Sequence, residues 1–323
     1  NAATRRKTMT DIKDDLPMFA PDWDQPVRYM LRTREWYLAL GYNNPYVWAH
    51  YLEAPFQPLK KPLAQSRVTL ITTAAPFQPD KGPQGPGAPY NAAAKFYQVY
   101  SGDTDQDHDL RISHVGIDRK HTSMEDSGSW FPLPAMRRAV AVGRIGSLAR
   151  RFHGAPTNRS QRHTLDVDCP EILQRCREDG VDVAVLLPNC PICHQTISLV
   201  ARYLEEHGIP TVVMGCAKDI VEHCGVPRFL FSDFPLGNPA GRPHDPASQD
   251  QTLELGLRLL ETACGPRTTM QSPLRWQGPA DWRLDYLNVE RLSAEELARL
   301  RAENDHAKEV AKNIRATTLT EKA

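Results

Sequence analysis

The sequence predicts an α/β protein built on parallel strands, and three observations carry that prediction. Short apolar runs rich in β-branched residues recur at 68–73, 181–187 and 209–214, with a shorter one at 229–231. Segments with apolar residues at helical spacing separate the later ones, at 170–178 and from about 191 to 207, with Gly180 and Gly208 as their stops. A strand, helix and strand in so little chain normally make a right-handed parallel crossover. The predicted organisation is two Rossmann-like α/β lobes with parallel sheets, 63–160 and 161–265. An aromatic and proline-rich N-terminal arm (1–62) precedes them, and a C-terminal linker and helix (266–323) comes after.

Taken in order, the arm carries Trp23, Tyr29, Trp36, Tyr37, Tyr42, Tyr46, Trp48, Tyr51 and Phe56, enough apolar surface to pack onto the body. The residues before Met9 stay outside fold reasoning. A helix is predicted over 26–40. Pro55, Pro58 and Pro62 then force an extended exit, because proline has a fixed φ and no N–H to continue a helix. Residues 68–73 read as a buried strand. The Pro/Gly-dense stretch 76–89 reads as a long loop over its carboxyl end, where loops commonly carry function. Residues 110–115 alternate like a second strand, and 134–152 has helical spacing. Beyond the 229–231 strand come the loop 232–239, a helix over about 252–264 and a terminal helix reaching about 316. A capping box of Ser293 and Glu296 opens that last helix, with Leu292 placed to staple to Leu297. It is charged on most faces, which suits a surface or a contact between copies of the chain.

The 323 residues include 39 basic and 39 acidic side chains, so no net field recruits nucleic acid or an anionic membrane. No apolar run approaches the roughly 18 residues of a membrane span, and the N-terminal stretch lacks a secretory pattern. A soluble, cytoplasmic protein is expected. Seven cysteines argue for reduced thiols rather than a disulfide framework.

The most informative segment is Cys190-Pro191-Ile192-Cys193-His194, which ends an apolar run and opens a helix. Unpaired N–H groups and the positive end of the helix dipole stabilise a thiolate there. Four readings stay open. In the first, Cys190 caps the helix as an exposed nucleophile and Cys193 resolves a mixed disulfide; the strand-turn-helix setting favours this one. The second is c-type haem attachment, for which CxxCH is the literal signature but which normally accompanies export. The third is a structural metal held with Cys216 and Cys224 or His223, whose spacing suits zinc poorly. The fourth is simple burial of small hydrophobes, to which Cys169, Cys176 and Cys264 are assigned.

The run Cys190-Pro-Ile-Cys-His194-Gln195-Thr196, with Gly208-Ile-Pro-Thr211 downstream, resembles the selenoprotein B-type subunits of the glycine, sarcosine, betaine and D-proline reductases, the D-proline branch most of all. The loop Pro235-Leu-Gly-Asn238-Pro239 looks like that family's PLGNP element. Ala54-Pro55-Phe56 and the segment from His114 through Asp118 and Asp126 are also similar, so the likeness spans about 50–240. It implies that Cys190 stands at a selenocysteine position and Cys193 at the family cysteine. It further implies a reductase that cleaves a bond in a small amino-acid or amine-like substrate, without selenium. The same resemblance implies a second subunit that presents the substrate on a pyruvoyl group, and an external thiol or thioredoxin-type system that restores the thiols. No resident metal or cofactor is expected. Candidate proton donors are His114 and His194; candidate substrate contacts are Asp118, Asp126, Asp233 and Asn238. His108 and His121 read as surface residues. The arm aromatics Trp36, Tyr42, Tyr46 and Trp48 are expected to be packing rather than a cation cage. The rival functions are a two-cysteine isomerase or racemase using Cys190 and Cys216, and a metal-bound scaffold.

Overall fold

A computed structural model of the chain describes residues 25–44, 46–81, 98–112, 114, 116–157 and 159–320. After a first helix, α1 (Tyr29–Ala39), the chain enters β1 (Arg67–Thr72) and the short β2 (Ala75–Pro76). It continues through β3 (Tyr100–Asp103), β4 (Leu110–Arg111), α2 (Leu133–Ala141), β5 (Ser147–Leu148) and β6 (Arg151–Gly154). A regular α/β run comes next: α3 (Cys169–Glu178), β7 (Val183–Leu187), α4 (Pro191–Glu206), β8 (Thr211–Gly215), α5 (Lys218–Cys224) and β9 (Arg228–Phe231). Then come α6 (Pro246–Thr262), β10 (Thr268–Gln271) and α7 (Ala294–Thr320). The capping box forms as expected: Ser293 and Glu296 exchange hydrogen bonds of 2.8 and 3.1 Å. No described helix is long and apolar enough to cross a membrane.

The α/β class is what the structure shows, but the strands expected in two separate sheets share one. Its order is β10-β9-β8-β7-β1-β6-β3, with β5 also beside β1. β1 pairs in parallel with β7 over five residues, Val68 to Thr72 against Val183 to Leu187. Among the described strands of this sheet only β3 runs antiparallel, along β6. Side chains alternate across the sheet. Leu70, Val185, Val212, Met214 and Leu230 meet α2 and α6 on one face. Ile71, Ala184, Leu186, Val213 and Phe229 meet α3 and α4 on the other. The runs read as continuously apolar because both faces are covered.

Two sequence assignments differ from the structure. The helix expected over 134–152 stops at Ala141; Gly143 turns the chain at a φ of 73°. The remainder of that stretch forms β5 and β6, two halves of a discontinuous strand laid along β1. The strand expected over 110–115 is only the two-residue β4, paired with β2; Ser113 and Val115 lie outside the described residues. So do Trp23 of the arm and 82–89 of the long loop.

Helix α4 is the central element, with fourteen of its sixteen residues buried. Ile197, Val200, Ala201 and Leu204 pack onto the sheet. A side chain near each end of α4 ties it to segments distant in sequence. At its C-terminal end Glu205 accepts from the Gln57 and Thr211 backbone N–H groups, both at 2.7 Å, from the Thr211 hydroxyl at 2.9 Å and from Arg228 at 2.8 Å. Arg228 in turn donates to Gln57 O at 2.7 Å and lies over the Phe56 ring. Both charges are buried. They tie the arm, α4, β8 and β9 into one knot.

At the other end, the N–H of Cys193 points to Cys190 Sγ at 3.3 Å. The His194 ring spans two turns of chain. Nδ1 contacts Cys190 O at 2.7 Å, and Nε2 accepts the N–H groups of Cys216 and Ala217 at 3.0 and 3.1 Å. Because Nε2 accepts twice, the ring proton sits on Nδ1 and donates to the carbonyl. Only the neutral ring fits, and burial lowers its pKa to about 4.

Two outcomes are expected. Glu205→Ala, which leaves Arg228 buried without its counter-charge, should cost about 3–5 kcal/mol in urea unfolding; a loss below about 1 kcal/mol would mean the pair holds nothing. His194 takes up a proton in the unfolded chain before it can in the fold, so its contribution is complete above pH ~6.5 and declines as pH falls toward ~4. Between pH 7.5 and pH 5 it should account for about 2 kcal/mol of lost stability. His194→Gln should flatten the pH dependence of the urea midpoint by about that much, and an unchanged slope would contradict the neutral clamp.

Candidate active site

β1, β7, β8 and β9 run parallel, so their carboxyl ends gather on one edge of the sheet. The chain leaves β1 to build β5 and β6 on one side and returns to place β7 on the other. A reversal of strand order of this kind is where open α/β sheets bind ligands. Thr73 after β1, Thr157 after β6 and Asn189-Cys190 after β7 come together there. Thr73 Oγ1 receives both the backbone and side-chain N–H of Asn189, at 3.1 and 3.0 Å, which fixes the turn into α4.

Cys190 and Cys193 meet at this edge with their sulfurs 2.7 Å apart. The Thr157 hydroxyl lies 3.1 Å from Cys193 Sγ. His114 is the third member: its ring nitrogen and the two sulfurs all fall within 4.8 Å of one another. Nδ1 of His114 is buried without a hydrogen-bond partner. The segment bearing it is held by Arg119, which donates to the carbonyls of His114 and Ile112. Tyr286 donates to Gly116 O at 2.7 Å. Gly116 itself lies against Pro191, where a β-carbon would come within 2.8 Å of the ring. A side chain there would push the His114 segment off the start of α4.

The two thiols divide their electrostatics. Burial, reinforced by donation of its proton to Cys193, pushes Cys190 well above the ordinary thiol range. Burial also acts to raise Cys193, but the Cys190 S–H, the His114 ring and the Thr157 hydroxyl outweigh it and hold Cys193 well below that range. The two shifts run in opposite directions, so the surroundings favour the thiolate at the inner sulfur, Cys193, over the outer one. Cys190 is not the exposed thiolate that its capping position suggests: it is 6% accessible, against 0% for Cys193. The arm covers it. Tyr37 and Tyr46 of the arm, with Tyr286, lie within electrostatic range of it.

Of the other predicted site residues, His194 is withdrawn from proton transfer, since both ring nitrogens are taken by backbone. Asp118 is buried and contacts His121 Nδ1 at 2.9 Å, while its Oδ2 has no hydrogen-bond partner. Burial raises its pKa. Asp126 accepts from Gly128 N, His244 N and Gln249 Nε2, so its carboxylate organises a turn. Asp233 is paired with Arg283 at 2.6 Å. Asn238 bridges the Thr122 hydroxyl and Pro235 O inside its own loop. These three shape the walls through fold contacts. Cys216 is buried, and its sulfur draws on the backbone N–H groups of Asn238, Gly237 and Phe234, which commits it to the PLGNP loop. His121 is half-buried between Asp118 and Asp285, and His108 is half-buried with Nε2 at Asp103 O; neither is simply a surface residue. Cys169 and Cys176 are buried packing as expected, and Cys264 is exposed.

The arm aromatics split into pairs instead of a cage. Tyr46 packs edge-on against Trp48 and accepts from Gln195, while Tyr42 packs against Tyr37 and carries Lys308 over its ring. Thr157 is not legible in the sequence as a site residue, because its position depends on β6, which the helical spacing of 134–152 conceals. A groove lined by Pro170, Leu173, Arg177, Tyr203 and His207 lies toward the far end of α4 and shares none of these groups.

D-proline reductase subunit gamma from Acetoanaerobium sticklandii is 31% identical to this chain over 208 residues, which is 63% of the chain and 81% of the relative. No sequence-family profile matches, and no solved structure matches. The matched stretch exceeds the whole α/β run from β7 to β9 in length, and by its identity and coverage the chain belongs to the family of the D-proline reductase gamma subunit.

Proposed function

We propose that this chain is the thiol-bearing component of a selenium-independent reductase, cleaving a bond from carbon to a leaving group in a small amino-acid or amine-like substrate. The observation that carries the reading is the Cys190-Cys193 pair, its sulfurs 2.7 Å apart with the His114 ring beside them, at the carboxyl edge of a parallel sheet. Cys190 occupies the position of the family's selenocysteine.

Cys190 is the outer sulfur and makes the attack. As it does, its proton passes to the Cys193 thiolate, an S–C bond forms, and the leaving group departs with the bonding pair. The proton travels from Cys193 by way of His114 to that departing group. Cys193, again a thiolate, attacks Cys190 Sγ. The S–S bond forms, the S–C bond breaks, and the substrate carbon keeps the electron pair and takes up a second proton from water. One thiol and one thiolate have become a disulfide, and the substrate has gained two electrons and two protons, one proton from the pair and one from water. An external dithiol reverses the disulfide in a reducing, cytoplasmic setting. The relative's name makes it one subunit of its reductase; a second subunit presenting an activated substrate is the partner proposed here. Arg159, whose guanidinium lies over Tyr37 with a contact to its hydroxyl, is the cation suited to a substrate carboxylate, and Asp118 Oδ2 is the open acceptor for an amine.

The two thiols should behave asymmetrically. In a Cys264→Ser background, a chromogenic aromatic disulfide should release two equivalents of thiol from the reduced pair, the second as Cys193 displaces the first adduct. Cys193→Ser should stop at a stable mixed disulfide on Cys190, visible by intact mass, and Cys190→Ser should react at least about tenfold more slowly. A stable single adduct on the unaltered pair would sink the two-thiol mechanism.

A further inference from the structure

We infer that the reduced site is also a reversible binding site for a thiophilic divalent cation, zinc being the ion its donors suit best, held by Cys190, Cys193 and His114. The cation site rests on geometry independent of the reductase reading; only its consequence, a capped and inactive thiol pair, rests on that reading.

Three donors converge: two sulfurs and one imidazole nitrogen, all within 4.8 Å of one another. Two thiolates and one imidazole are the donor types that zinc prefers, and three protein ligands leave a fourth position for water or a substrate atom. Two thiolates cancel the charge of a divalent ion, so the loaded site is neutral, as burial requires. A second observation bears on the same ring. His114 Nδ1 is buried with no hydrogen-bond partner, although a buried polar atom normally has one, and a cation bound through that nitrogen would satisfy it. The sulfurs, 2.7 Å apart, would have to part by about 1 Å to reach the tetrahedral separation set by zinc-sulfur bonds of about 2.3 Å. Rotation of the outer side chain, Cys190, can supply that. His223, Cys216 and Cys224 are not part of the cluster: Cys216 is committed to the PLGNP loop and Cys224 is packed with Ala49 and Leu199.

Binding and disulfide formation use the same sulfur lone pairs, so they exclude each other. The cation would be an exchangeable cap on the reduced state and not a resident cofactor. It would block both attack by Cys190 and resolution by Cys193 until a chelator or a competing thiol removed it.

Cobalt(II) is the probe. Titrated into the reduced full chain, it should bind at one equivalent with thiolate-to-cobalt absorption and the intense visible bands of a tetrahedral site, and zinc should displace it. His114→Ala should weaken binding at least tenfold while far-ultraviolet dichroism stays unchanged. Zinc should protect Cys190 and Cys193, but not Cys264, from alkylation, and the Cys190-Cys193 disulfide form should bind no cobalt. Octahedral cobalt bands only, or full affinity in a folded His114→Ala chain, would overturn the site. The reductase reading is scored separately, by metal-free oxidation of the pair. A disulfide that forms where cobalt fails removes the cation site alone, and cobalt binding where no disulfide forms removes the two-thiol mechanism alone.

Discussion

A helix buried along nearly its whole length has to be matched by everything packed against it, and α4 is that helix. An amide left unpaired in such surroundings costs about 1–3 kcal/mol, and a side chain near each end of α4 accepts the amides of neighbouring segments: Glu205 those of Gln57 and Thr211, His194 those of Cys216 and Ala217. Glu205 closes the C-terminal end and, through Arg228, pulls in the arm and the next two strands. His194 closes the N-terminal end by joining the Cys190 carbonyl to the amides just past β8. Both tie elements distant in sequence to the same rigid rod, Glu205 at the starts of β8 and β9 and His194 just past the end of β8.

The position of the cysteines is a consequence of the same constraint. Cys190 is the cap residue, so its sulfur faces the Cys193 amide of the first turn, and Cys193 lies one turn further in, fully buried. Helix geometry brings residues three apart to one face, which is why the sulfurs touch. What sets their charge is not the helix alone. Cys193 has His114 from one loop and Thr157 from another, and those donors, added to the neighbouring thiol, pull the negative charge inward. The pair thereby lies beneath the surface with its sulfurs in contact.

The covering of the site by the arm gives the aromatic residues at 37 and 46 a purpose that composition leaves undefined. Tyr46 is locked by Gln195 on α4 and Tyr37 by its contacts with Tyr42 and Arg159. The arm therefore belongs to the site as much as to the fold. Tyr286, from the segment before the last helix, closes the same space by holding Gly116. Residues from five separated stretches of chain meet around two thiols.

Local pattern is enough to read the α/β class, the β7-α4-β8 unit, the terminal capping box and the placement of CxxC at a helix start. Each of those depends on neighbours in sequence: apolar periodicity, a proline at the first helical position, a glycine at the stop. The sheet itself is not readable, because β1 and β7 are separated by more than a hundred residues and either could have paired with other edges. β5 and β6 are hidden for the same reason, their short segments taking a strand conformation only because β1 offers an unpaired edge. The roles of the site residues divide along that line. Cys190 and Cys193 are marked by their own spacing, whereas His194 as a clamp, Thr157 as a donor and the burial of Cys190 beneath the arm depend on contacts that only tertiary packing creates. Sequence determined which groups could react; long-range packing decided which of them hold a proton, which hold the backbone and which hold each other.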